Sequence, residues 1–227
     1  RLFFLPVPDE PATDDALKNI LRGSEDFSAK VEACRKATTR LVEEVLPNES
    51  AVRAVLWDRT ITPDDVVEPL THLARLLVHL RGLVPVVSRG PGNRPEFGPP
   101  VIEKEFRALS VLFNIARGHA LLYGRRYLIP ADVALVVPIA LGSCPSHRRR
   151  LFEKLLQSGG RITVSMGADS LQVAHETARS YLHEFERLRL VEVRQPGQVQ
   201  EFMLAHRWQW FLSPEFKNLQ SGSLAMF

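Results

Sequence analysis

The stretch from Arg148 to Ala205 carries the pattern that most constrains how this chain folds. Apolar residues recur there at helical spacing, and Gly, Pro and capping residues separate the helices from one another. The pattern predicts a helix that begins after Ser146 and ends at Gly159-Gly160, an extended piece over 161–164, a short helix capped by Ser165 that runs to about Leu171, a helix over 175–188, and two strands over 190–194 and 199–204. The strands flank a Gln-Pro-Gly-Gln turn, which predicts a hairpin.

Three helices, one thin strand and a hairpin in this order predict a winged helix-turn-helix over 146–207. In a helix-turn-helix the recognition helix lies in the major groove of double-stranded DNA, and phosphate contacts fix its register. Arg179 on the third helix is the best single candidate for such a contact. The full set of predicted DNA contacts is Thr177, Arg179, Ser180 and His183 on the helix, Arg194, Gln195 and Gln198 at the wing, and Arg148, Arg149 and Arg150 where the unit begins.

The net positive charge of the chain lies in the same stretch. Lys and Arg outnumber Asp and Glu by 10 to 7 over 146–207, whereas the counts are 18 and 18 over 1–145 and 1 and 1 over 208–227. A basic excess attracts the phosphate backbone, and binding of this kind weakens steeply as the salt concentration rises. Double-stranded DNA is therefore the partner that the sequence predicts.

Two other functions fit the same pattern. The excess is only three charges, and Glu176, Glu184 and Glu186 lie on or beside the third helix, so the unit is alternatively a non-enzymatic protein-docking or adaptor module. Gly167 and Ala174 also depart from the usual pattern, because the second helix normally buries a Leu and the third helix normally begins at a Ser or Thr cap. A dimeric transcription regulator, bound at two half-sites, is a further alternative.

Composition places the chain among ordinary globular proteins. Its 227 residues, 45% hydrophobic and 24% charged, suffice for two domains. The longest apolar run, Ala131–Leu141, contains Asp132 and is shorter than the roughly 20 residues that a membrane helix needs, so no span is predicted. The opening residues are too few for a secretory signal, and Cys34 and Cys144 lie far apart without metal-ligand spacing. We expect a cytoplasmic protein without a metal site.

Residues 1–145 are predicted to be mainly helical. The periodicity and the Gly and Pro residues predict a strand over 2–7 and helices over 13–21, 26–45, 63–81, 100–123 and 130–141. The segment from Ser88 to Pro100 is rich in Gly and Pro and is predicted to be a mobile loop. The expected fold class is mainly α, a helical bundle followed by three helices with a small β-hairpin.

The end of this helical region carries two short motifs. Residues 116–126 read ARGHALLYGRR and residues 129–133 read IPADV, after a helix that carries Arg107 near its start. On these residues, the segment 101–141 resembles the helical lid of AAA+ ATPases of the minichromosome maintenance and MoxR types. In the minichromosome maintenance helicases a winged helix follows the lid, as it is predicted to do here.

The resemblance implies a nucleotide-sensing role for Arg107. It matches the lid arginine called sensor 2, which in the family points at the terminal phosphate of the nucleotide. A guanidinium suits this task because its two parallel N–H groups clamp phosphate oxygens. Alternatively, Arg107 pairs with Glu103 or Glu105 on its own helix surface.

Catalysis is not expected from this chain alone. It contains no GxxxxGK[ST] motif, so nothing in it cradles phosphates as a P-loop does. We expect no catalytic residue and no cofactor, with ATP and Mg²⁺ possible only through an upstream ATPase core. The start at Arg1 instead of Met fits a processed product, a trimmed sequence or a fragment of a longer protein.

The sequence thus predicts the non-catalytic C-terminal part of an AAA+ type ATPase or helicase-like protein. Its predicted parts are a helical region over 1–145, the winged helix over 146–207 and a tail over 208–227, with the oligomeric state left open. His119, set among apolar residues, is predicted to donate to a backbone carbonyl in the core. After the last predicted strand, Arg207, Trp208 and Trp210 are predicted to stack on bases, or the two Trp with Phe211 to close a core or a dimer contact.

Overall fold

The structure is a computed structural model, and it describes residues 15, 27–45, 57, 61, 63–90, 95–194 and 199–224. The described part is mainly helical with two small antiparallel sheets, which confirms the predicted fold class. Its helices are α1 (Phe27–Val45), α2 (Asp64–Leu80), α3 (Glu105–Leu122), α4 (Pro130–Gly142), α5 (Ser146–Gln157), α6 (Val164–Leu171), α7 (His175–Arg187), a 3-10 helix (His206–Leu212) and α8 (Pro214–Leu224). The strands are β1 (Val86–Arg89), β2 (Pro95–Phe97), β3 (Arg161–Thr163), β4 (Val191–Arg194) and β5 (Glu201–Leu204).

Several expectations lie outside the described residues. The predicted strand over 2–7 is one of them, and so is the predicted helix over 13–21 except for Asp15, which is helical. The turn between the last two strands, with Gln195 and Gln198, is another. Among the described helices, none is both long enough and apolar enough to cross a bilayer.

Helices α2, α3 and α4 pack together into the N-terminal bundle. Helix α2 begins after Pro63, whose fixed φ suits the start of a helix, with Asp64 and Asp65 in the first turn where carboxylates favour the helix dipole. Its buried face includes Leu70, Leu73 and Leu77, each at most 1% exposed. The predicted helices over 63–81 and 130–141 are therefore found nearly as predicted.

The segment predicted as a loop over 88–100 contains regular structure. Strands β1 and β2 form an antiparallel hairpin in which Val86 lies opposite Phe97 and Arg89 opposite Pro95. The Ser88 hydroxyl donates a hydrogen bond across the hairpin to Glu96. The loop prediction was wrong for these positions because Gly and Pro between short strands are equally compatible with a tight hairpin.

The C-terminal unit contains helices α5, α6 and α7 and a three-stranded antiparallel sheet in the order β3-β5-β4. Helix α6 begins at the Thr163 side chain, which accepts from the amide of Met166 at 3.3 Å, so the predicted cap at Ser165 was wrong by two positions. Gly167 faces α5 and α7, where a Cβ would already meet Leu151 and Leu182 at 3.4 Å. The site accepts a Cβ at ordinary contact distance, but the longer side chain of Leu would run into Leu151 and Leu182, which explains the missing Leu.

The tail completes the core and does not hang free of it. Trp208, Phe211 and Phe216 are each at most 1% exposed, and they belong to one hydrophobic cluster that includes residues of the bundle and of the C-terminal unit. Helix α8 packs along α4. Of the two predicted alternatives for the tail aromatics, the structure therefore supports closure of a core for Trp208.

Candidate nucleic-acid interface

Helix α7 presents a polar face to solvent and an apolar face to the core. Ala178, Leu182 and Phe185 are at most 1% exposed, and they recur at the spacing of a single helix face. Thr177 is exposed, whereas Arg179, Ser180 and His183 are half-buried on the outward side. The predicted contact residues of this helix are therefore brought together on one accessible surface.

One ion pair and one histidine–carboxylate hydrogen bond lie on that surface. The Arg179 Nη1 atom lies 3.1 Å from Oε2 of Glu176, one helical turn before it. The His183 Nδ1 atom lies 3.0 Å from Oε2 of Glu186. Exposed pairs of this kind contribute only about 0.2–1 kcal/mol each, so a phosphate group can displace the carboxylates at small cost.

The hairpin supplies one further exposed cation. Arg194 is the last residue of β4 and lies opposite Glu201 of β5 in the strand register, with its side chain exposed. Gln195 and Gln198, also predicted to contact DNA, lie outside the described residues. Of the three residues predicted for the wing, the structure thus describes the placement of Arg194.

Arg148 was predicted to contact phosphates, and the structure overturns this. Its side chain is buried at 6% exposure, where Nη1 donates to the carbonyl oxygens of Leu80 at 2.7 Å and Gly82 at 2.6 Å. Its Nη2 donates to Oε1 of Glu184 at 2.5 Å. The guanidinium therefore joins the last turn of α2 to helix α7, and no donor of these contacts is available to DNA.

Glu184 is held in place from two sides. Its Oε2 atom lies 3.6 Å from Nε2 of His147, and the His147 ring stacks on Tyr181 with centroids 4.5 Å apart. Burial by itself raises the pKa of Glu184, but the nearby His147 imidazole and the hydrogen bond from Arg148 outweigh burial and hold the pKa below its ordinary value. Glu184 is therefore ionised and paired inside the protein.

The two neighbouring arginines differ from Arg148. Arg149 is half-buried and lies 3.7 Å from Glu153 on its own helix. Arg150 is exposed, but its guanidinium donates to the carbonyl oxygen of Ser170 at the end of α6. Of the three predicted contacts at the start of α5, Arg150 is thus the one that solvent reaches most freely.

Arg107, the predicted nucleotide sensor, lies in the first turn of α3. Its side chain is exposed, next to Phe106, which is 75% exposed. Ala108 on the same helix is 2% exposed and faces the bundle, so Arg107 is directed away from the core. The Arg107 guanidinium is therefore accessible to a group of another molecule or domain.

The two motifs that carry the lid resemblance meet in one buried network around Asp132. This carboxylate is fully buried and accepts from Nη1 of Arg125 at 2.6 Å and Nη2 of Arg125 at 2.7 Å. It also accepts from Nδ1 of His119 at 2.6 Å and from the amide of Ile129 at 2.8 Å. The network joins the end of α3 to the start of α4 and thereby fixes the turn between them.

The network corrects the prediction for His119 and explains its environment. His119 donates to the Asp132 carboxylate, whereas a backbone carbonyl was predicted as its partner. Although burial raises the pKa of Asp132, hydrogen bonds from Arg125, from the Ile129 amide and from His119 outweigh it and lower the pKa below its ordinary value. His119 and Arg125 of the lid motif therefore hold a structural carboxylate.

A buried histidine joins the bundle to the C-terminal unit beside Arg148. His79 is 5% exposed, and its Nδ1 donates to the carbonyl oxygen of Leu188 at 2.7 Å. Its ring packs edge to face with Trp208, with the ring centroids 5.0 Å apart. Burial, helped by the positive charges of Arg207 and Arg189, lowers the pKa of His79 although the hydrogen bond acts in the opposite direction. The imidazole is therefore neutral in the folded protein.

The lowered pKa of His79 should make the folded protein less stable as the pH falls below about 6.5, which is above the pH range in which carboxylates titrate. The unfolded chain takes up a proton on the imidazole near its ordinary pKa of 6.5, while the folded chain resists protonation, so stability is present above that pH and falls as the pH falls. We expect the Tm to drop by several degrees between pH 7.5 and pH 5.5, measured by circular dichroism. His79→Asn, which retains an N–H donor for Leu188 without titrating, should flatten the profile, and an unchanged profile in that variant would contradict this role.

The described part of the chain contains no group of three or more His, Cys, Asp or Glu side chains that could hold a metal ion. Burial raises the pKa of Cys144 to about 11, so its thiol is protonated at neutral pH. Cys34 is exposed on α1.

Comparison with known proteins matches one part of the chain. A family model described as the AAA lid domain matches residues 105–165, which contain α3, α4, α5 and β3 and the first two residues of α6. No curated protein and no solved structure matches the chain. The match confirms an AAA+ lid-like region, which reaches farther toward the C-terminus than the predicted 101–141, and it indicates part of an AAA+ protein.

Proposed function

We propose that this chain is the non-catalytic C-terminal portion of an AAA+ type ATPase or helicase-like protein, and that its C-terminal unit is a winged helix that binds double-stranded DNA. The observation that carries the proposal is the outward face of α7, where Thr177, Arg179, Ser180 and His183 lie together on an accessible helix. The fold around this helix supports it. The order of helix, strand, two helices and hairpin is that of a winged helix, with α7 in the position of the recognition helix.

The contacts that we assign to DNA fall into two groups. Arg179, with Thr177, Ser180 and His183, contacts base edges or phosphates in the major groove, because a guanidinium suits both guanine and phosphate. Arg194, Gln195 and Gln198 of the wing, together with Arg149 and Arg150, contact phosphates and fix the register. Arg148 is not among them, since its donors are engaged inside the protein.

Replacing the two best-placed arginines tests this assignment. Arg179→Ala with Arg194→Ala should weaken binding of a fluorescent duplex about 30- to 1,000-fold at low salt, since each lost guanidinium contact is worth on the order of 1–2 kcal/mol. Fluorescence anisotropy measures the change. The matched control is Arg75→Ala with Arg126→Ala, which removes the same charge from exposed positions of the bundle and should leave binding within about twofold. Equal losses in both variants would contradict a defined interface.

The lid assignment suggests a role for Arg107 in a longer assembly. We propose that the segment corresponds to the lid of the minichromosome maintenance or MoxR type and that Arg107 reaches the terminal phosphate of a nucleotide held by an ATPase core. Its exposure in the first turn of α3 supports this. ATP and Mg²⁺ would then be bound by that core, with Arg107 contributing the lid contact.

A protein-docking function is the second candidate, and the carboxylates on α7 favour it. Glu176 forms an ion pair with Arg179, and Glu186 accepts a hydrogen bond from His183. A face that carries carboxylates beside its basic groups suits a protein partner better than the uniformly negative DNA backbone. Duplex binding separates the two candidates, because a docking module shows no salt-sensitive affinity for DNA.

A further inference from the structure

A groove of about 550 Å³ lies between the bundle and the tail, on a different surface from α7. The first turns of α2 and α4 form one side, and α8 with Trp210 forms the other. Its volume is within the range of roughly 300–1,000 Å³ that is usual for ligand clefts. None of the residues proposed above to contact DNA or a nucleotide lines it.

The wall of the groove is apolar and is held rigidly. The apolar residues that line it include Ala131, Trp210 and Leu219, with the buried Pro69 at its base. The Trp210 ring stacks on His72 with centroids 4.5 Å apart and planes 9° from parallel, and it meets Phe216 at 5.3 Å. A half-buried indole fixed in this way offers a preformed surface for an aliphatic or aromatic side chain, because it loses little conformational freedom on binding.

The rim of the groove is acidic. Asp65, Glu68 and Glu215 are exposed at its edge, and no cationic side chain is among the residues that line it in the described part of the chain. A second groove, on the other side of α8, has two cationic residues in its lining, Arg149 and Lys217, and one acidic residue, Glu153. The two grooves therefore differ in charge although they share a helix, and the acidic one lies in a chain whose formal net charge is +3.

We propose that this groove binds a basic, partly apolar segment of a partner protein. Lys or Arg side chains of the segment lie against Ala131 and Trp210 with their aliphatic stems and reach Asp65, Glu68 and Glu215 with their charged ends. The carboxylates exclude nucleic acid from this surface, since its phosphates carry the same charge. The groove is thus a protein interaction surface that acts separately from the DNA-binding face.

The test uses a labelled dodecapeptide of leucine and lysine as the probe and the full chain as the receptor. Fluorescence anisotropy at low salt should show binding, and a peptide with glutamate in place of lysine should not bind. Asp65→Asn with Glu215→Gln should weaken the lysine peptide roughly five- to tenfold, as expected for two lost exposed charge pairs. Ala131→Trp, which fills the groove from an exposed position, should weaken it at least about tenfold at any salt concentration.

The matched control is Asp169→Asn with Glu192→Gln, two exposed carboxylates outside the groove. This variant should bind the lysine peptide as the unchanged chain does, and an equal loss of affinity would show a non-specific charge effect and overturn the proposal. No binding by the unchanged chain would overturn it as well. A wild-type dimer that Ala131→Trp dissociates, seen by sedimentation, would overturn it by placing a second copy in the groove. All groove variants should retain duplex binding, so the outcome here is independent of the DNA-binding proposal.

Discussion

Replacing Arg148 by Met should lower the free energy of unfolding by about 3–5 kcal/mol, although the position was predicted from the sequence to contact DNA. The methionine keeps most of the aliphatic stem but removes all three donated hydrogen bonds. The carbonyl groups of Leu80 and Gly82 and the carboxylate of Glu184 then remain in a protein interior without this donor. A buried acceptor or charge that loses its partner costs far more than the net worth of the pair.

Urea unfolding followed by circular dichroism measures this loss, with Arg150→Met as the control. Arg150 is exposed, so its replacement should change the free energy of unfolding by less than about 1 kcal/mol. A stable Arg148→Met protein with a reduced salt dependence of duplex binding would contradict the structural role and restore the phosphate contact. A loss of stability in Arg148→Met but not in Arg150→Met would support the role of Arg148 in joining α2 to α7.

Replacing Asp132 by Ala should be comparably destabilising, by about 3–5 kcal/mol. The carboxylate is fully buried and accepts hydrogen bonds from Arg125, His119 and the amide of Ile129. Its removal leaves a guanidinium and an imidazole in a half-buried site and takes away the acceptor that fixes the first turn of α4. The effect should be centred on the turn between α3 and α4.

Thermal unfolding of Asp132→Ala, Arg125→Met and the double variant checks this account. Because both residues belong to one network, the double variant should lose less stability than the sum of the two single variants. Asp132→Asn, which keeps an acceptor for the Ile129 amide but removes the charge, should fall between the unchanged chain and Asp132→Ala. Additive losses in the double variant would show that Arg125 and Asp132 do not act as a pair.

The elements that local sequence determines were predicted well. The helices that begin at Pro63 and Pro130 have a Pro in the first turn and an apolar face, and both appear nearly as expected. The order of elements over 146–204 likewise follows from Gly stops and alternating apolar residues. Periodicity and punctuation are short-range signals, so a single sequence is enough to detect them.

The parts that depend on distant contacts could not be predicted in this way. Arg148 has the same residue type as its neighbours Arg149 and Arg150, and only the packing of α5 against the end of α2 buries it. Asp132 was visible as a charge inside an apolar run, which is a signal of a buried pair, but its partners lie several residues away across a turn. The acidic groove joins residues from α2, α4 and α8, which are far apart in the sequence.

The salt dependence of duplex binding tests the central proposal most directly. We expect a labelled duplex to bind the unchanged chain at low salt with a slope of log affinity against log salt of about −2 to −4, as for a few phosphate contacts, and Arg194→Ala to reduce that slope by about one. That result would support a DNA-binding winged helix in this part of an AAA+ protein. Absence of binding at low salt, or a slope that Arg194→Ala leaves unchanged, would contradict it and favour the protein-docking function.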